Sequence, residues 1–62
     1  MDMIIKNIRF SLNSGLYNLS VIERETEVSR NYMKKIMANE KVPAYVIVAL
    51  DTFFKNLGKQ YG

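Results

Sequence analysis

Near the C-terminal end, Val46, Ile47, Leu50, Phe53, Phe54 and Leu57 form an apolar stripe that constrains the fold more than any other feature of the chain. Stepped at roughly 100° per residue, these positions fall on one broad side of a helix, while Asp51 and Lys55 pair on the outside at the i,i+4 spacing. The stripe is the largest hydrophobic contribution in the sequence, and in 62 residues only a few short segments remain to cover it. A single domain over residues 1–62 is expected. With 48% hydrophobic and 24% charged residues the composition is that of a folding chain, and the alternating runs that mark a sheet are scarce. The expected fold class is therefore all-α.

The covering segments follow in order. Asp2 is suited to cap a first helix at 3–13, in which Ile4, Ile5, Ile8 and Leu12 share one face. Phe10 lies off that face, which leaves it for another part of the chain or for a partner. Asn13-Ser14-Gly15 ends the helix, since Gly15 can take the left-handed conformation that closes a helix C-terminus. A second helix at 19–26 has two possible caps, Asn18, or Ser20 in a capping box with Glu23. Leu19 and Ile22 face inward, Glu23, Glu25 and Glu27 face outward, and a helix this short persists only when packed. After a turn at Glu27-Val28, Ser29 opens a third helix at 29–38 and Asn39 ends it. Pro43 opens the last helix at 43–57, where its missing N–H costs nothing, and Gly58 is expected to stop it, leaving 59–62 as a tail. The residues expected to be mostly buried are Ile8, Leu12, Ile22, Val28, Met33, Ile36, Val46, Leu50 and Phe53.

The third helix carries the chemistry. Tyr32, Met33, Ile36 and Met37 gather on one side, while Arg30, Asn31, Lys34 and Lys35 gather opposite. Ala38 falls near the middle of the polar side, so nothing bulky bars a phosphate or base edge, and no acid interrupts the arc. The net charge of +3 is small, but its distribution is uneven. Residues 29–41 hold Arg30, Lys34, Lys35 and Lys41 against Glu40, whereas the stretch before holds Glu23, Glu25 and Glu27 against Arg24. Such a patch attracts polyanions; a membrane surface would also want an exposed apolar face beside it.

Other function classes have little to draw on. Without histidine or cysteine the commonest bases, nucleophiles and metal ligands are missing, and no glycine-rich phosphate loop is present. Glu23 and Glu27 read as a solvated carboxylate pair, Ser29 as a cap, Tyr32 as a packing residue ahead of a base-stacking one, and the methionines as fillers of a small core. No enzyme activity, metal, cofactor or small-molecule substrate is expected. The lack of cysteine suits a reducing interior. The longest apolar run, Val42 to Leu50, falls short of the roughly 20 residues that span a bilayer, and the opening Met1-Asp2-Met3-Ile4-Ile5-Lys6 lacks the basic start of a signal peptide. A soluble, cytoplasmic protein without membrane association is expected.

Over roughly residues 8 to 57 the chain resembles the Cro/repressor (Xre-type) helix-turn-helix family, through Gly15-Leu16, Ile22, Val28-Ser29, Arg30-Asn31-Tyr32-Met33, Ile36, Asn39 and Pro43. The resemblance implies a lambda-repressor-like domain of four to five helices that binds double-stranded DNA sequence-specifically and regulates transcription, as in phages and mobile elements. It implies that the 29–38 helix enters the major groove, with Arg30, Asn31 and Lys34 reading base edges and Asn18, Ser20, Ser29, Lys35, Asn39 and Lys41 holding phosphates. A module this small gains useful specificity as two copies, so a homodimer or cooperative pair is expected through Tyr45, Phe53 and Phe54. Three positions depart from the family pattern. Glu23 replaces a small residue, Glu27 replaces the turn glycine, and Leu19 replaces a glutamine that contacts phosphate. The alternative is a small helical interaction protein, an antirepressor or inhibitor, for which the acidic second helix speaks.

Overall fold

The computed structural model describes residues 2–61, with side chains through Leu57, and among them every regular element is a helix. These are α1 (Asp2–Asn13), α2 (Leu19–Thr26), α3 (Arg30–Met37) and α4 (Ala44–Tyr61). Both α1 and α2 pack against α3 and α4. None of the described helices is long and apolar enough to cross a membrane.

The core is made where the apolar faces of all four helices meet. Ile8 and Leu12 come from α1, Ile22 from α2, Val28 from the turn, Met33 and Ile36 from α3, and Val46, Ile47 and Leu50 from α4. No polar or charged residue is buried among the described residues, so the core gains its stability from apolar burial alone. One expected member is absent. Phe53 packs against the core but is only half-buried, because its ring also lines two surface recesses beside α2, and Ile47 takes a fully buried place.

Local chemistry explains each boundary. Gly15 takes φ +77° just after α1, and Ser14 closes the same bend by donating its hydroxyl to the Ser11 carbonyl at 2.6 Å. Asn18, not Ser20, caps α2, its Oδ1 accepting from the Ser20 amide at 2.8 Å. Glu27 supplies the left-handed residue after α2 at φ 60°, ψ 20°, and its amide donates to the Glu23 carbonyl at 2.8 Å. The turn thus keeps a glycine-like conformation at a residue that carries a Cβ, which costs roughly 1 kcal/mol or more. Thr26 braces it, donating to the Ile22 carbonyl at 2.6 Å and accepting from the Val28 amide at 3.2 Å.

Several ends differ from expectation. Asp2 is the first residue of α1 and not its cap, and Pro43 precedes α4, its carbonyl accepting from the Val46 amide at 3.1 Å. Ser29 caps α3 as expected, while at the other end Ala38 is the cap and the left-handed Asn39 lies just beyond it. Gly58 does not stop α4, which runs on through Tyr61; Gly62 lies outside the described residues. Glycine permits a left-handed exit without compelling one, and adding a residue to an established helix is far easier than starting one.

Candidate nucleic-acid interface

The eight residues of α3 are tied at both ends by groups from elsewhere in the chain. At the N-terminus, Ser29 Oγ accepts from the Asn31 amide at 3.2 Å and Glu23 Oε2, reaching across the turn from α2, accepts from the Arg30 amide at 2.9 Å. Glu23 therefore uses the position of an expected small residue to satisfy an amide that α3 itself leaves open. At the C-terminus, Asn39 turns left-handed at φ 64°, its amide donates to the Ile36 carbonyl at 3.0 Å, and the Glu40 amide donates to the Lys35 carbonyl at 2.8 Å. This is a Schellman closure. Arg9 of α1 adds its Nε–H to the Ile36 carbonyl at 2.9 Å, a cation at the negative end of the helix.

With Met33 and Ile36 buried beneath, Arg30, Asn31, Lys34, Lys35 and Ala38 are all exposed on the outside of α3. Arg30 bends back along α2, and its Nη2 donates to Ser20 Oγ. The structure so brings together two of the expected contact residues, one from each helix. Asn31 and Ser29 line a shallow recess with Tyr32 and Lys35. Asn18 and Ser29 spend an oxygen each on capping, yet the Asn18 amide group and the Ser29 hydroxyl keep hydrogens to donate. Asn39 and Lys41 lie elsewhere, in a cleft between α1 and the segment after α3 that Lys6, Arg9 and Glu40 also line. Eight residues of helix separate the two ends of this surface, about 12 Å along the axis.

The three aromatic residues singled out on α4 do not form one patch. Tyr45 sits at the start of the helix against Tyr32, rings edge to face with centroids 6.3 Å apart. Hydrogen bonding with the Tyr32 hydroxyl, then burial, then the charge of Tyr32 when ionised raise its phenol above the usual range. Phe53 and Phe54 are two turns away, half-buried, 5.3 Å apart, with Phe54 also edge-on to Tyr17 at 5.1 Å.

Reading the sequence missed three features. Arg9 is invisible to it because its partner is 27 residues away. The Arg30–Ser20 and Arg30–Glu23 contacts depend on how α2 and α3 meet. Leu16, 82% exposed, and Val21 belong to no stripe, and with Tyr17, Phe53, Phe54 and Leu57 they line an apolar groove beside α2. No family model, curated protein or solved structure matches the chain.

Proposed function

We propose that the chain is a sequence-specific double-stranded DNA-binding regulator of transcription, a Cro/repressor-like helix-turn-helix of lambda-repressor-like fold in which α2, the turn and α3 form the motif. The observation that carries this reading is the outward face of α3. Two buried residues anchor it, four exposed polar or basic residues cover it, and no acid lies among them. α3 enters the major groove, where Arg30, Asn31 and Lys34 read base edges. Asn18, Ser20, Ser29 and Lys35 hold phosphates beside them, and Asn39 and Lys41 hold backbone at the far end. Arg30 reads guanine by exchanging the Ser20 hydroxyl for the base, so duplex binding must supply the free energy of that exchange.

Two copies act together through the C-terminal half of α4, where Phe53 and Phe54 keep part of their surface exposed. The apolar groove of Leu16, Tyr17, Val21 and the two phenylalanines favours a second reading, a protein-binding helical module such as an antirepressor. A band-shift on mixed duplex DNA at two salt concentrations separates the two. Duplex binding that weakens steeply with salt is expected for the regulator. Lys35→Ala should lower affinity for all duplexes equally, and Arg30→Ala should cost about 1 to 3 kcal/mol on a selected site and relax the choice of one base pair. If neither change alters binding to any duplex, the basic face is a solvated surface and the second reading replaces the first.

A further inference from the structure

Tyr45 lies in the first turn of α4, beside α3. It is 63% exposed, while its neighbours Val46 and Ile47 are buried. Its ring touches α3 through the edge-to-face contact with Tyr32, at an interplanar angle of 85°. Lys35 lies one turn after Tyr32 and places its Nζ 5.9 Å from the centre of the Tyr32 ring, within the range of a cation–π contact. The positive charge of α3 is thereby drawn toward the start of α4. The recess lined by Ser29, Asn31, Tyr32 and Lys35 borders the same cluster.

The chemistry of the pair is specific. An ammonium supplies charge without direction, whereas a phenol supplies a directed O–H and no charge. A tyrosine phenol is protonated at neutral pH, and the exposed Tyr45 O–H can turn from Tyr32 to an acceptor in solvent. A phosphodiester offers a single negative charge shared by two acceptor oxygens, and so suits one donor of each kind. A second copy of the chain fits less well, since it would set the Lys35 charge beside the cluster against its own counterpart.

Resting on the duplex-binding reading above, we infer that Tyr45 and Lys35 together hold one backbone phosphate at the α3–α4 junction, with Tyr32 as the positioning residue between them. Tyr45 is then a DNA contact and not part of a dimer surface. The contact reads no base, so it acts equally on every sequence.

The test uses the full chain, a mixed-sequence duplex, and binding measured over a range of salt. Tyr45→Phe keeps the ring and should lower affinity about tenfold, the lower end for a hydrogen bond to a charged group. The dependence on salt should stay as in the parent protein, because a neutral donor displaces no counterion. Lys35→Ala should reduce the slope by about one. Tyr32→Phe retains the ring under Lys35 and should lose part of the affinity with the slope unchanged. Labelling the tyrosine ζ carbons gives an independent readout, in which the Tyr45 resonance should move on adding duplex. If the parent binds duplex while Tyr45→Phe binds equally well and the resonance stays still, the inference fails and the DNA reading stands. If the parent binds no duplex even at low salt, both fail.

Discussion

Glu23 offers the sharpest test of how α3 is held. Its carboxylate accepts the Arg30 amide at 2.9 Å, the first amide of a helix that has no acid in its own first turn. Losing a side-chain acceptor at a helix N-terminus costs typically about 1 kcal/mol, and a carboxylate there adds about 0.3 to 1 kcal/mol through the helix dipole. The contact is exposed, so the lower values apply and Glu23→Ala should destabilise by about 1 kcal/mol. In a domain of this size that lowers the melting temperature by about 4 to 8 °C. Glu23→Gln nearly preserves helix propensity and retains an amide oxygen, so it should recover part of the loss. The recovered part reports the hydrogen bond, and the rest reports the charge and should shrink with added salt. Thermal unfolding followed by circular dichroism at low and high salt measures both. An alanine variant that melts with the parent would refute the argument, because the amide would then be satisfied equally well by water.

Three further outcomes follow from the same structure. Ile36→Ala removes a side chain that is 1% exposed at the centre of the core and should cost on the order of 2 to 5 kcal/mol by thermal or urea unfolding, enough to unfold a domain this small. Glu27→Gly should stabilise by about 0.5 kcal/mol, since relief at φ 60° exceeds the added freedom of the unfolded chain by a small margin, and a lower melting temperature would show the turn to be unstrained. Phe54→Glu should weaken self-association seen by sedimentation while leaving α3 intact, and an unchanged dimer would move the interface away from α4.

Periodicity and end chemistry carried most of the fold. The bounds 19–26 for α2 follow from Asn18 and from the apolar pair Leu19 and Ile22, and Gly15 and Asn39 are the residues whose structure tolerates a left-handed exit. Eight of the nine expected core positions are buried because helix spacing reports directly which side of a helix is apolar. Phe53 is covered only in part because burial also depends on what α2 leaves open beside it, which spacing along one helix does not contain. The basic face of α3 was legible for the same reason as its core face. What bends Arg30 onto Ser20, or brings Arg9 to the Ile36 carbonyl, is the packing of separate helices, and no pattern within a single segment encodes it.

The way α3 is anchored decides how binding measurements must be interpreted. An eight-residue helix has no stability by itself, so α3 depends on Met33 and Ile36 in the core and is further secured by Glu23 and Arg9 at its ends. Loss of enough of this anchoring to populate the unfolded state lowers apparent affinity for every ligand by the same factor, which imitates the loss of a phosphate contact. Salt separates the two cases. An unfolding equilibrium shifts the binding curve without changing the number of counterions released, whereas loss of a lysine–phosphate contact reduces the slope by about one. Arg9→Met is the decisive control, because it removes a cation that already serves the Ile36 carbonyl. It should lower stability by roughly 1 to 2 kcal/mol and leave the salt slope unchanged. A reduced slope would mean that the Arg9 guanidinium leaves the helix end to meet the duplex, and the face assigned to α3 would have to extend onto α1.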